Sequence, residues 1–436
     1  MAHKKIKIIA WLLAFVTVLF VSPLAVKAEE NDFSVNAGAA LAIDAETGKI
    51  LYDQNGDTPL GIASVTKILS TYLILESVTS GTISWEDQVP ISEYTGALSL
   101  NWELSNVPLY TNQTYSVREL YQAGLIASAN AAVAAMGEYI AGSESNFVDM
   151  MKAKLTEWGI DDAKIVNSSG LNNSYLGENI YPGSAADDEN MMSAKDVAIV
   201  AQHLINDFPE VLETTSVTSM VFSAGTASET EMTNWNWMLP GFLYEKAGVD
   251  GLKTGTTDFA GECFVGTMEQ NGTRVITVIL NAGGTDTDTG ARFTQTGLLM
   301  DYCYNTWSRQ EISLADATVP DLETLAVPDG EEMTVPIAVE GSVTLWVKNG
   351  ADSSNVAYEV SLDDSLVTDN ELAAPVSNGL TVGTATVSNP DDTLGYLNEA
   401  DNVQTVELVT TQEVLKANFF IRIARSLTNW LNDLIG

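Results

Sequence analysis

Ser64-Val65-Thr66-Lys67, Ser128-Ala129-Asn130 and Lys253-Thr254-Gly255 occur in that order along a chain of 436 residues. Together they hold the side chains needed to activate a serine hydroxyl without histidine. A hydroxyl is a weak nucleophile until a base removes its proton, and hydrolases commonly enlist histidine for the task. Only His3 and His203 are present. His3 falls in a segment expected to be removed, and His203 lies in the largely apolar run Val197 to Ile205, where it reads as a packed helical side chain. Residues i and i+3 share a helix face, so Ser64 and Lys67 can bring hydroxyl and amine together at the start of one helix.

Lysine serves as a base only when neutral. A free lysine amine titrates at about 10.4 and a useful base near 7, so the environment must supply about three units, or roughly 4 kcal/mol. Burial and a second cation both push in that direction, and Lys253 is the candidate cation. Ser128 and Asn130 complete the network without adding negative charge. A serine between two lysines can also pass a proton to a leaving amine.

Ser-x-x-Lys and Lys-Thr-Gly each occur once, whereas Ser-x-Asn occurs at Ser34, Ser99, Ser128 and Ser353. Taken singly, Ser64 fits a helix N-cap with Lys67 in a solvated first turn, and Thr254-Gly255 fits a strand end. The surrounding sequence decides between these readings. Ala39 to Tyr52, Pro59 to Lys67, Leu125 to Ala132, Asn167-Ser168-Ser169-Gly170-Leu171, Ser193 to Val197 and Gly251 to Thr257 form an ordered set of blocks. This set, spanning about 35 to 308, resembles the D-alanyl-D-alanine carboxypeptidases, the low-molecular-mass penicillin-binding proteins. Two positions depart from the family pattern: Ala131 stands where an acidic residue is usual, and the stretch from Asn172 to Asn190 is longer and more acidic. That stretch is expected near the cleft.

The resemblance implies a mixed α/β fold of the penicillin-binding-protein and β-lactamase type, an antiparallel sheet flanked by helices, with Lys253-Thr254-Gly255 on the strand beside the nucleophile. It implies serine-type carboxypeptidase activity on peptidoglycan stem peptides ending in D-Ala-D-Ala, with β-lactam antibiotics as inhibitors. Ser64, Lys67 and Ser128 would be catalytic. The N–H groups of Ser64 and Thr256 would form the oxyanion hole. Asn130 would orient the substrate amide, and Lys253, Thr254, Gly255, Thr256 and Arg292 would bind substrate, with Lys253, Thr254 and Arg292 receiving its terminal carboxylate. The alternatives are a β-lactamase, for which no Glu-x-x-Leu-Asn segment follows Ser128, and a catalytically silent penicillin-sensing or wall-binding protein, which the intact Ser64, Lys67 and Lys253 disfavour.

The elements that must position these residues can be read in outline. Ser64 to Ser77 reads as a helix, and 263–268 and 273–281 as strands joined by a turn at Gln270-Asn271-Gly272. Residues 29–308 are read as the catalytic domain. Composition changes after Trp307, where Pro320, Pro328 and Pro336 precede short alternating segments, and a small all-β domain is expected over 318–408. Over 412–436 a stripe of Leu415, Phe419, Ile423, Leu427, Trp430 and Leu434, with Lys416, Arg422 and Arg425 beside it, predicts an amphipathic helix lying on a membrane surface.

Lys4, Lys5 and Lys7 before the apolar run Ile8 to Val21, with Val26-Lys27-Ala28 as a cleavage site, predict a signal peptide over 1–28 and export to the outer face of the cytoplasmic membrane. The formal charge is −38, or −42 once the four lysines of that leader are removed, which argues against nucleic-acid binding. Cys263 and Cys303 match no common zinc spacing and are read as two buried thiols. No metal or cofactor is expected.

Overall fold

Strands rich in small and β-branched residues build the sheet that carries the site. These are β1 (Ala37–Asp44), β2 (Ile50–Gln54), β3 (Val249–Thr257), β4 (Gly261–Gln270) and β5 (Thr273–Ala282). A computed structural model describes residues 33–314, 317–352, 355–398 and 404–435, with side chains of the last helix described through 427. The expected signal peptide lies outside the described residues. The five strands pair antiparallel in the order β2-β1-β5-β4-β3. The expected hairpin is present: Asn271 (φ 54°) and Gly272 (φ 76°) turn β4 into β5, the conformation in which both central residues must take positive φ.

Alternate residues of β4 divide between two cores, as the two-residue repeat of a strand requires. Cys263 and Val265 join a large cluster with Ile68, Leu69, Val197 and Leu204, whereas Phe264 and Met268 pack with Phe293 and Met300. The helices of the large cluster include α1 (Lys67–Thr79), α2 (Glu93–Ser99), α3 (Val117–Ile126), α4 (Asn130–Ala141), α5 (Glu144–Glu157) and α6 (Ala194–Asp207). Short α7 (Val211–Thr215) follows, and α8 (Ala291–Thr306) supplies Phe293 and Met300 to the opposite face. Serines start several of these helices. Ser116 with Glu119 and Ser193 with Asp196 form capping boxes at α3 and α6.

The polypeptide then forms a second layer. Strand β6 (Trp307–Ser313) pairs with β8 (Ser342–Lys348), while β7 (Thr334–Glu340), β9 (Ala357–Leu362), β10 (Thr381–Ser388) and β11 (Gln404–Thr410) belong to a seven-stranded sheet with three shorter strands. Leu325, Val335, Val382 and Leu408 are fully buried within it. The segment 389–398 reaches back to the first domain: Lys49 Nζ lies 2.9 Å from Asp392 and donates to Gly395 O at 2.9 Å, and Ile50 N donates to Gly395 O at 3.0 Å. Trp307 Nε1 adds a bond to Leu51 O at 2.8 Å.

The terminal helix α9 spans Phe419–Ile435. Residues before it belong to the β layer, since Val414 exchanges two 2.9 Å backbone bonds with Val376 and Lys416 pairs with Asp329 at 3.0 Å. Arg425 donates to Gly330 O at 2.6 Å. Lys416 and Arg425 are thus spent on the β layer, while Phe419, Phe420, Ile423 and Leu427 remain exposed. Among the described residues no helix is long and apolar enough to cross a membrane. Cys263 and Cys303 are buried free thiols, as read from the sequence.

Candidate active site

Ser64 sits in a 3₁₀ turn, Ala63–Thr66, that runs directly into α1 at Lys67. The sequence predicts a single α-helix from Ser64, and the structure corrects this by placing the α-helix start at Lys67. The tighter turn matters because its repeat of three residues eclipses i and i+3, stacking Ser64 directly under Lys67. Two close approaches fix it in place. Gly170 has φ +80° and a Cβ there would lie 1.8 Å from Ala63 O, while a Cβ on Gly255 would lie 2.7 Å from Ile62 O and 3.1 Å from Ser64 N. Only glycine lets both segments press against the turn. Ala63 (φ 46°) and Ser128 (φ 57°) also hold the left-handed region, which is costly for residues with a Cβ and is maintained by surrounding packing.

Lys67 is fully buried and its Nζ has three oxygen neighbours, each at 2.7 Å: Ser64 Oγ, Asn130 Oδ1 and Ser169 O. Asn130 Nδ2 donates to Ser105 O at 2.9 Å, which fixes the side-chain amide with its oxygen toward the lysine. Asn130 Oδ1 and Ser169 O can only accept. A neutral amine has two N–H donors and one lone pair, so satisfying those two acceptors turns the lone pair toward the Ser64 hydroxyl. Burial holds the Lys67 amine well below the ordinary lysine range, and the nearby Lys253 adds to this while Glu144 opposes it. The condition for a lysine base is met by desolvation first and like charge second.

Lys253 is also buried, its amine brought down to about 7 by burial and by Arg292. It lies on β3 opposite Val265, with Gly255 opposite Cys263, so both face the nucleophile turn. Thr254 and Thr256 lie opposite Phe264 and Glu262 on the other face of the strand. A cavity of about 380 Å³ is lined by Ser64, Ser105, Ser128, Thr254, Gly255, Thr256 and Arg292, with Trp235, Trp237, Glu262, Thr289 and Phe293 completing the walls. The structure therefore brings Ser64, Ser128, Thr254, Gly255, Thr256 and Arg292 to one cleft, with Lys67, Asn130 and Lys253 beneath it. His203 is elsewhere, stacked on Trp158 with ring centroids 4.3 Å apart.

Residues 25–284 match the D-alanyl-D-alanine carboxypeptidase family. The chain belongs to that family. Residues 308–416 match the penicillin-binding protein 5 C-terminal domain. The chain is 24% identical over 400 residues to the D-alanyl-D-alanine carboxypeptidase DacF of Bacillus subtilis, covering 92% of this chain and 91% of the relative. Among solved structures, it is 41% identical to a peptidoglycan synthesis regulatory factor (PBP3) from Streptococcus pneumoniae, with a TM-score of 0.69 over 87% of this chain and all of that one. It is 32% identical to penicillin-binding protein D2 from Listeria monocytogenes in its ampicillin-bound form, with a TM-score of 0.51 over 63% of this chain and 99% of that one.

Membership of the carboxypeptidase family accounts for the motifs but not for the layer beneath them. Ser169 O reaches Lys67 because Asn167 Oδ1 accepts from Gly170 N at 2.7 Å and Asn190 Oδ1 accepts from Val166 N at 2.7 Å, shaping the loop. Glu144, at the start of α5, accepts from Ser168 N at 3.0 Å, Ser168 Oγ at 2.6 Å and Tyr94 OH at 2.8 Å. The Asn167 to Leu171 block has no role that its sequence alone assigns, and nothing in the sequence marks Glu144, Ser105, Asn190, Trp235, Trp237 or Glu262 as site residues. A buried acid at a helix start carries no local signal that separates it from an ordinary first-turn glutamate. The acidic 172–190 stretch, expected near the cleft, contributes no residue to its lining; it is tied back through Glu189, which accepts from Thr257 Oγ1 at 2.6 Å.

Proposed function

We propose that this protein is a serine-type D-alanyl-D-alanine carboxypeptidase that trims the last D-alanine from peptidoglycan stem peptides through an acyl-enzyme on Ser64. The observation that carries the reading is the buried Lys67 amine 2.7 Å from Ser64 Oγ, with its two other neighbours able only to accept. Lys67 takes the hydroxyl proton as Ser64 Oγ attacks the carbonyl carbon between the two terminal D-alanines. The N–H groups of Ser64 and Thr256 receive the oxyanion. Collapse breaks the peptide C–N bond, and a proton relayed through Ser128 leaves with the D-alanine nitrogen. Water then attacks the ester and returns the proton to Ser64. Asn130 and the Thr254 to Thr256 strand orient the peptide.

A β-lactam would acylate Ser64 in the same way, but its leaving nitrogen stays tethered and deacylation needs an activating carboxylate. Among the described residues lining the cleft the only carboxylate is Glu262, and it is held by Arg292 at 3.0 Å. This supports slow turnover of penicillin and disfavours a β-lactamase. Action at the cell wall, export by the 1–28 leader and contact of the apolar face of α9 with the membrane complete the proposal, with 29–308 as catalytic domain and 318–408 as β domain.

The deciding experiment incubates the purified protein with penicillin and with a pentapeptide ending in D-Ala-D-Ala, followed by mass spectrometry and peptide mapping. A persistent adduct on Ser64 and release of one D-alanine are expected. An adduct on another residue, or penicillin turnover as fast as peptide turnover, overturns the assignment.

A further inference from the structure

Two consecutive residues at the end of the 172–190 stretch grip the two segments that meet at the nucleophile. Asn190 is fully buried and holds the nucleophile turn: its backbone O accepts from Ile62 N at 3.2 Å, and its Nδ2 donates to Thr66 Oγ1 at 3.0 Å and to Asn167 O at 2.9 Å. Glu189, also buried, reaches the other way, to β3. Its Oε2 accepts from Thr257 Oγ1 at 2.6 Å, and Thr257 Oγ1 in turn accepts from Ala260 N at 2.9 Å, closing the turn that leads into β4. Its Oε1 accepts from Asn172 Nδ2 at 3.0 Å, so the opposite end of the stretch aims the carboxylate. Strand β3 needs such a tie because it is an edge of the sheet, with β4 on one side only. Near its start Thr215 Oγ1 donates to Asp250 O at 2.8 Å and Asn236 Nδ2 to Gly251 O at 3.2 Å, and farther along Arg292 NH1 donates to Gly255 O at 2.8 Å. At its last residue the tie is Thr257 to Glu189.

We infer that Glu189 is a positioning residue for the oxyanion hole: by holding Thr257 while Asn190 holds the nucleophile turn, it sets the separation of the Ser64 and Thr256 N–H donors. The inference rests on the carboxypeptidase reading of the same site. Gly255 already abuts Ser64, since a Cβ on it would lie 3.1 Å from Ser64 N, and Thr256 follows it into the cleft wall. Thr256 thus stands between the Gly255 contact and the Thr257 anchor. Glu189 does not line the cleft and acts only through the strand. Oxyanion donors act on charge that develops in the transition state, so a displaced Thr256 N–H lowers kcat and leaves KM nearly unchanged.

The test compares the wild-type chain with E189A, E189Q, T257V and E189A combined with T257V. Rates on diacetyl-Lys-D-Ala-D-Ala are divided by the number of sites that penicillin labels at completion, so that an unfolded fraction drops out. E189A and T257V should each lose about tenfold to hundredfold in kcat, with KM within about twofold of wild type. The double variant should be no slower than the slower single variant, because both changes remove the same bond. E189Q keeps a carbonyl oxygen for the Thr257 hydroxyl and should recover most of the loss. A peptide boronic acid, tetrahedral once bonded to Ser64 Oγ, should bind more weakly in E189A by the same factor as kcat/KM falls, a match that a loss of folding alone would not produce. A per-site kcat of E189A within twofold of wild type, or losses that multiply in the double variant, overturns the inference. If E189A fails to fold by thermal melting, T257V, which exchanges one hydroxyl for a methyl, decides by the same twofold limit. Release of D-alanine and penicillin labelling of Ser64 in the wild type are run alongside; their absence would sink the carboxypeptidase reading, whereas an unchanged E189A rate with both intact sinks only the role of Glu189.

Discussion

Asn130 Oδ1 stands 2.7 Å from Lys67 Nζ, although 63 residues separate them. Asn130 begins the alanine-rich helix α4, whose small buried side chains let it pass close to α1. The asparagine oxygen therefore reaches a lysine that has no counter-charge in hydrogen-bond contact. An aspartate there would favour the ammonium and remove the base; the neutral amide satisfies one N–H and leaves the lone pair for Ser64.

Replacement of Lys67 by Arg should accordingly abolish acylation. Arginine keeps a positive charge but stays protonated, so it cannot take the serine proton. Loss of a general base costs about 10²- to 10⁴-fold. Stopped-flow acylation by a chromogenic cephalosporin measures it, with circular dichroism as the control for folding. A Lys67→Arg rate within tenfold of wild type would mean that lysine acts through charge alone.

Glu144→Gln should shift the acid side of the acylation profile. Activity falls as pH drops through the Lys67 titration, because protonation consumes the lone pair. Glu144 favours the Lys67 ammonium and Lys253 disfavours it. Removing the carboxylate charge lowers the proton affinity of Lys67 further, so the acid limb moves to lower pH. Tyr94 and Glu138 also face Glu144, so the whole profile should be recorded over pH 4 to 9. A limb that stays in place, or moves upward, contradicts this electrostatic account.

The parts of this site visible in the sequence are those whose chemistry is carried by residue type at short range. Ser64 with Lys67 and the Lys253-Thr254-Gly255 strand are of this kind, as is the Asn271-Gly272 hairpin. The helix start was misplaced by one turn because Ser64 to Lys67 has no residue that separates 3₁₀ from α geometry; the distinction is imposed by Gly170 and Gly255 pressing on Ala63 and Ile62. Arg292 was recognisable as a cleft residue, yet its engagement by Glu262 depends on strand register across β3 and β4 and on α8, none of which local pattern specifies. The Lys49 to Asp392 pair joins positions on two different layers and left no trace in composition.

Gly255→Ala tests the contact between β3 and the nucleophile turn. The added methyl would lie 2.7 Å from Ile62 O, a backbone atom that cannot rotate away. Overpacking of this sort costs about 1–3 kcal/mol, and a small displacement of Ser64 from the strand can lower turnover by about 10²-fold. Thermal melting and peptide hydrolysis should therefore both fall, with hydrolysis the more sensitive. Full activity in the alanine variant would show that the turn moves freely against the strand.

The membrane role of the C-terminal end can be separated from its structural role by two truncations. A chain ending at Asn418 keeps Val414 paired with Val376 and Lys416 with Asp329, and loses only α9. Phe419, Phe420, Ile423 and Leu427 are exposed there, and burying such side chains in a bilayer interface at about 25 cal/mol per Å² gives useful affinity. That chain should hydrolyse a small peptide within twofold of the full-length rate and fail to bind anionic vesicles in a flotation assay. A chain ending at Thr411 also removes Val414, which is 1% exposed in the β core; losing one such side chain costs about 1.5–3 kcal/mol, so its melting temperature should fall below that of the Asn418 chain, which gives up α9 and the Arg425 bonds to Gly330 O and Glu331 O. Vesicle binding retained without α9 would place the membrane contact elsewhere, and loss of peptide hydrolysis in the Asn418 chain would mean that α9 supports the catalytic domain.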